Sequence, residues 1–328
     1  VENNFANGLT ASLRFVVPSG QEVLFDDAIR GTQTFASDDL GDFIIRKTDA
    51  SSSFMFCNAI DDALMEVTTV VRGEDHLTNT PRQLLILQEL GLNAPAYAHI
   101  SIILGDDGAP LSKRNGSESM NELLRIGYLP QAINNYIARL GNSSYGNDDQ
   151  LLSLEQLAGN FDINKLSKSA AKFDIAHLKF WQKKALRSLD IQQITEWITP
   201  HITCAVPSEK QELFWQTMGE NIILPGQANS WSKILFTTDS LTLDTQILAV
   251  DAAFFSQCSN IAKQYSSWED FIHQVKQQGS YKGKSLFHAL RMALSGRLDG
   301  PELKTIFNLL AKDQLALRFE KAAVAMGN

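Results

Sequence analysis

Between residues 67 and 104 the sequence spells strand, helix, strand. Val67, Thr68, Thr69, Val70 and Val71 form a β-branched run ending on Arg72, which suits a strand buried in a parallel sheet. Thr80 is a good N-cap, Pro81 fits the first helical position, and Gln83 completes a capping box. Leu84, Leu87 and Leu90 supply the apolar face of that helix, and Gly91 ends it. Ile100 to Leu104 then reads as another buried strand. This is the order of a βαβ unit, and it predicts an α/β fold around an open parallel sheet. Such sheets bind ligands beyond the carboxyl ends of their strands. That rule points at Arg72 to His76 and at Gly105 to Arg114.

Upstream, residues 1–60 read as β-rich. Ser12 to Val17 and Gln21 to Phe25 are apolar runs split by Pro18, Ser19 and Gly20, a hairpin signal, and Asp42 to Arg46 and Ser53 to Cys57 look like further strands. Downstream the pattern turns helical. Ser119 and Glu122 suggest a capping box, Gly127 a stop, and Pro130 a new start with Ile133, Tyr136, Ile137 and Leu140 on one face. From about residue 185 onward only helical faces appear, punctuated by Pro207, Pro225-Gly226, Gly279, Gly283, Gly296 and Gly300-Pro301.

A chain of 328 residues has room for two or three domains. Its net charge of −8 gives no whole-chain signal for nucleic-acid binding, so any phosphate contact must come from a local basic surface. No run approaches the ~18 apolar residues of a membrane span. Val1 to Gly8 lack the pattern of a signal peptide, and the chain opens on Val1 rather than Met, as a fragment or processed product would. Cys57, Cys204 and Cys258 lie far apart with no CxxC pair, so neither zinc nor a disulfide framework is expected, and a reducing cytoplasm is.

Two segments carry chemistry. The first runs from Asn58 through Asp61, Asp62 and Met65 to Val71-Arg72-Gly73-Glu74-Asp75-His76-Leu77-Thr78-Asn79-Thr80-Pro81. Arg72, just past a buried strand, can grip a carboxylate with two parallel hydrogen bonds. Asp75 and His76, on the same loop, can reach a sugar or a base. The second is Leu104-Gly105-Asp106-Asp107-Gly108-Ala109-Pro110-Leu111-Ser112-Lys113-Arg114, a Gly-rich turn whose lysine suits a polyphosphate.

The first segment resembles the DD-x-x-M … R-G-E-D-H-x-x-N-T-P-x-Q signature of glutamyl-tRNA synthetases, which are class I aminoacyl-tRNA synthetases. The second resembles that family's KMSKS loop. The stretch Tyr281 to Phe287, with Leu290, Arg291, Gly296 and Gly300-Pro301-Glu302-Leu303, looks like its anticodon-binding region. The resemblance implies a partial class I Rossmann-type parallel sheet followed by a mainly α-helical C-terminal region. It implies the end of an acceptor-stem-binding insertion over 1–50, the second half of the catalytic domain over 51–116, a stem-contact domain over 117–185 and an anticodon-binding domain over 186–328. The activity it implies is joining L-glutamate to ATP, with Mg2+, and passing it to tRNA(Glu), in a cytoplasmic monomer that carries no zinc in this chain. By position Arg72, Asn58 and Phe54 would hold glutamate. Asp75, His76, Ile103, Leu104 and Lys113 would lie by ATP. Lys113, with Ser112 and Arg114, would form the mobile catalytic loop.

Four departures qualify the resemblance. No HIGH motif precedes residue 58, so the chain is expected to lack most of an ATP site and to form no adenylate unaided. His99 is no substitute; a packed or capping role ahead of a strand is expected of it. Pro110 replaces the loop's first lysine, and Phe54 stands where many members carry tyrosine. Lys165-Leu166-Ser167-Lys168-Ser169 matches KMSKS letter by letter more closely than the earlier loop does, but it reads as helical territory rather than the end of a strand. The alternative reading of the chain is a non-catalytic tRNA-binding module derived from such an enzyme.

Overall fold

The computed structural model describes residues 10–105, 107–111, 119–146, 149–237, 241, 243, 248–279 and 281–327. The chain divides into two compact units, one of residues 1–117 and 134–177, the other of residues 118–133 and 178–328.

The first unit is built on a four-stranded sheet. Its strands are β2 (Glu22–Asp27), β3 (Gly31–Ala36), β5 (Thr69–Gly73) and β6 (Ala96–Ile100), in the order β3-β2-β6-β5. Strands β5 and β6 run parallel in register from Thr69↔Ala96 to Gly73↔Ile100, and β2 joins β6 in parallel at Asp27↔Tyr97. Only β3 is antiparallel, paired with β2 through a tight turn. The Asp27 carboxylate sets that turn by accepting from the amides of Ile29 (3.0 Å) and Arg30 (2.7 Å). Strand β6 is central and buries Tyr97, Ala98 and His99.

The hairpin expected around Pro18-Ser19-Gly20 is not there. Strand β1 (Leu13–Phe15) pairs instead with β4 (Phe43–Arg46). The reason lies in two aspartates. Asp38 accepts from Ser19 Oγ (2.7 Å) and the Gly20 amide (3.1 Å), and Asp42 accepts from the Val17 amide (2.9 Å), so the turn is tied to residues 38–42. The strand expected at Ser53 to Cys57 is also corrected. Ser53 accepts from the Phe56 amide and caps a helix, α1 (Phe54–Leu64), which contains no glycine or proline and only one β-branched residue, Ile60.

Helix α2 (Thr80–Glu89) crosses between β5 and β6, with Pro81 in its first turn as expected. It buries Leu85, Ile86 and Leu87, each worth ~1.5–3 kcal/mol of transfer free energy, while Leu90 is left outside. The expected capping box at Thr80 does not form, because Thr80 and Gln83 turn their side chains to Arg72. The run Ile100 to Leu104 is not one strand. Strand β6 ends at Ile100, and β7 (Ile103–Leu104) pairs in parallel with β8 (Ala171–Lys172).

That pairing overturns the reason for setting the Lys165–Ser169 segment aside. It follows a short 3-10 turn (Ile163–Lys165), and Leu166–Ala170 is not helical. Its backbone docks on the strand ends: Ser101 Oγ donates to Ser167 O (2.9 Å) and Arg30 Nη1 to Lys168 O (2.7 Å). The apolar letters after it, Ala170, Ala171 and Phe173, belong to strand β8 and its flanks rather than to a helix.

The second unit is helical. Ser119 accepts from the Glu122 amide at the start of Met120–Ile126, and Gly127, in a left-handed conformation, ends it. Helices at Ile191–Ile198, Gln211–Asn221, Pro225–Phe236, Ala252–Gln264, Trp268–Gln278, Gly283–Ser295, Leu303–Leu309 and Lys312–Gly327 then share one core. Trp181, Trp215 and Trp231 are buried, and Trp197 and Trp268 pack half-buried against that core. Arg318 is 6% exposed, and among the described residues no carboxylate pairs with it. It donates to the carbonyls of Ile234 and Leu235 at the end of one helix and of Leu294 at the end of another. Those carbonyls lie in the last turns of their helices, where a cation meets the negative ends of two helix dipoles.

Candidate functional site

Strand β5 delivers Arg72 to the carboxyl edge of the sheet, half-buried. Its Nε–H donates to His99 Nε2 (3.1 Å), and its Nη2 donates to Thr80 Oγ1 (2.8 Å) and Gln83 Oε1 (2.7 Å). The Tyr97 ring lies under the guanidinium, 5.4 Å from centroid to Cζ. Burial lowers the Arg72 pKa, with Tyr97, Asp62 and Asp75 pulling the other way; an arginine remains charged at neutral pH. Burial likewise raises the Tyr97 hydroxyl to about 12 and raises Asp62, which the charge of Arg72 opposes. A guanidinium has five N–H donors. Three are taken by these bonds, so among the described residues the two on Nη1 remain for a ligand.

Gln83 does double duty. Its Oε1 receives Arg72, and its Nε2 donates to Asn58 Oδ1 on helix α1 (2.9 Å). Gln83, the middle of this bridge, is 1% exposed, while Arg72 and Asn58 at its ends are half-buried. It brings Arg72 and Asn58, 14 positions apart in sequence, into one constellation. With Oδ1 turned to Gln83, the Asn58 amide hydrogens face away from that bond.

After β5 the chain makes a 3-10 turn, Glu74–Asn79. His76 Nδ1 accepts from Asn79 Nδ2 (3.1 Å), which leaves the proton on Nε2, 3.7 Å from Asp75 Oδ2. Phe54, 53% exposed, sets its ring 5.4 Å from that of His76. A Cβ at Gly73 would stand 2.4 Å from Asp75 Oδ1, so a side chain there would displace the Asp75 carboxylate. Glu74 turns inward, pairs with Arg30 Nη2 and accepts from the Ile102 amide (3.1 Å).

Two family models match the chain. One, described as tRNA synthetases class I (E and Q), catalytic domain, covers residues 1–180. The other, an anticodon binding domain, covers residues 240–323. A glutamate–tRNA ligase of Nitrosococcus oceani is 46% identical over 327 residues, 98% of this chain and 68% of that protein. One from Methylococcus capsulatus is 45% identical over 97% of this chain and 69% of its own length. This chain belongs to the glutamate–tRNA ligase family. The family's fold agrees: the crystal structure of a glutamate tRNA ligase from Elizabethkingia meningosepticum superposes with a TM-score of 0.81 at 24% identity, over 99% of this chain and 70% of that one.

Within this ligase-family chain the expected site residues divide into three sets. Arg72, Asn58, Phe54, Asp75 and His76 gather at the end of β5. Ile103 and Leu104 form β7, and their carbonyls already accept from the Leu111 and Phe173 amides (3.0 and 2.8 Å). Ser112, Lys113 and Arg114 lie outside the described residues. Sequence reasoning missed four residues that hold Arg72: Gln83, Thr80, Tyr97 and His99. His99 is not ahead of a strand but inside β6, and fully buried. A signal for Gln83 was present, since it sits within the family signature, but its capping-box spacing offered a simpler explanation.

Proposed function

We propose that this chain holds the amino-acid subsite of a glutamate–tRNA ligase, together with the loop and the helical region that serve ATP and tRNA(Glu). The observation that carries the reading is the Arg72–Gln83–Asn58 constellation, in which a fixed guanidinium keeps both Nη1 hydrogens without a partner among the described residues and Asn58 is tied to the same Gln83. Glutamate has two carboxylates. The α-carboxylate must attack the α-phosphorus of ATP, with pyrophosphate leaving, so a carboxylate pinned by a cation is better the side-chain one. The glutamyl group then passes to a hydroxyl of the terminal adenosine of tRNA, and AMP leaves. Asp75 and His76 stand where the nucleoside sugar or base would come, and Lys113 would meet the phosphates. Mg2+ would arrive with ATP; among the described residues no group of three or more histidines, cysteines or acids could hold it, and no step here is assigned to it. The helical region, by its anticodon-binding match, would read tRNA. Among the described residues no helix is long and apolar enough to cross a membrane, and we place the chain in the cytoplasm as a monomer.

Glutamate-dependent ATP–pyrophosphate exchange, with tRNA present, tests this reading. The chain alone is expected to show none. Joined to the part of the N. oceani relative that lies outside the match, it is expected to show exchange that Arg72→Ala abolishes. No exchange from the joined protein, with tRNA binding intact, would refute catalysis and leave a tRNA-binding module.

A further inference from the structure

Behind Arg72 lies a buried pair that the proposed reaction does not use. His99 is 0% exposed and Asp27 3%. Asp27 Oδ2 sits 2.6 Å from His99 Nδ1, and the same carboxylate accepts from the His99 amide (3.0 Å to Oδ2), the Ile29 amide and the Arg30 amide. On the other side of the ring, Nε2 faces Arg72 Nε–H at 3.1 Å and Thr80 Oγ1 at 3.0 Å. The tautomer follows from the partners. An arginine Nε–H can only donate, so Nε2 must accept, and the single ring proton belongs on Nδ1, directed at Asp27.

We propose that His99 is a positioning residue, and that the Asp27–His99 pair locks the Arg72 guanidinium so that its Nη1 edge alone meets the substrate carboxylate. This rests on the reading that Arg72 holds glutamate. The lock works because the guanidinium is held at two edges, by His99 on Nε and by Thr80 and Gln83 on Nη2. Removing the first leaves the plane free to turn about the second. The arrangement requires a neutral imidazole. An imidazolium would set an N–H against an N–H and one positive charge against another. The charged and titratable groups facing His99 are Asp27 from β2, Arg72 from β5, His76 from the 3-10 turn and Tyr97 on its own strand, with Arg30 donating to its carbonyl. Burial holds the imidazole below its ordinary range; Asp27 opposes that and Arg72 and His76 reinforce it. Asp27 is itself lowered, because its hydrogen bonds outweigh the effect of burial.

The test has two arms on the full chain. The first is ring 15N NMR of the wild-type protein, with the His99 signals assigned by their loss in His99→Gln. A protonated Nδ1 and an unprotonated, hydrogen-bonded Nε2 are expected, and a protonated Nε2 would overturn the proposal. The second is an L-glutamate titration of wild type, Arg72→Ala, His99→Phe and His99→Gln, each checked for a cooperative melt. His99→Phe keeps the ring but not the acceptor and is expected to bind about tenfold more weakly or worse. His99→Gln, whose Oε1 can take the Arg72 proton, is expected to recover most of that loss. A folded His99→Phe that binds as wild type does, while Arg72→Ala loses binding, sinks the lock and leaves the glutamate site standing. Wild-type affinity in Arg72→Ala, or no glutamate bound to wild type, sinks the site and the lock with it.

Discussion

Replacing Gln83 by glutamate puts a carboxylate where a neutral amide now receives Arg72. The new group is nearly isosteric and still accepts from Arg72 Nη2, whose present bond to Oε1 is 2.7 Å. It can no longer donate to Asn58 Oδ1. Local stability should change little, because a stronger charge-assisted bond offsets the lost neutral one, each term being ~1–3 kcal/mol. Substrate binding should weaken sharply. A carboxylate on Nη1 and one on Nη2 lie roughly 6 Å apart, which at an effective dielectric constant of about 20 is ~3 kcal/mol of repulsion. That is about a hundredfold in affinity. Calorimetric titration with L-glutamate reads it, and added salt should recover little of the loss at this half-buried site. Gln83→Leu is the control, since it also breaks the bridge but adds no charge. It should weaken binding less than Gln83→Glu does. Equal affinity of Gln83→Glu and wild type would refute the idea that Arg72 and Gln83 share one ligand-facing edge.

Other consequences lie in the packing. Gly300 has φ +113°, and a Cβ there would stand 2.1 Å from Trp231 Cζ2. Gly300→Ala should therefore cost ~2–4 kcal/mol, from left-handed strain and overpacking together, seen as a lower urea midpoint for the second unit. Arg318→Met should leave three helix-end carbonyls without their donor and cost ~3 kcal/mol by the same measurement; a loss near zero would mean that water replaces the guanidinium. The His99 imidazole, lowered by burial, makes stability depend on pH with a definite sign. Below about 6.5 the unfolded chain takes up a proton that the folded chain refuses, so stability falls as pH drops through that window towards the folded value. His99→Gln should lose this part of the slope, and a variant with the wild-type slope would contradict the assignment.

The position of Arg72 at a strand end was more legible in the sequence than the strand pairing around it. Arg72 could be placed because a β-branched run ending on a cation has few places to sit in an α/β protein, and Pro81 fixed where the next helix begins. The aromatic-rich stretch Phe54 to Phe56 looked like a strand because apolar runs do not reveal their period over so few residues. The Ser53 cap and the helix-compatible residues that follow it, through Leu64, make it the first turns of a helix. Long-range pairing was not readable either. Nothing local in Leu13–Phe15 announces Phe43–Arg46 as its partner, and a two-residue strand such as Ala171–Lys172 has no pattern at all. The bonds of Gln83 and His99 to Arg72 were hidden for a related reason. Each residue has a satisfactory local explanation, as a cap or a packed residue, and what uses them is an arginine 11 and 27 positions earlier in sequence.

Glutamate held as proposed puts one of its carboxylates against Nη1 of Arg72, beside Asn58. A crystal structure of the chain with L-glutamate measures this directly. It should show one carboxylate within hydrogen-bonding distance of Nη1 and of the Asn58 amide, with the bonds to His99, Thr80 and Gln83 kept. Glutamate bound away from Arg72, or bound there through Nε after His99 has let go, would contradict it.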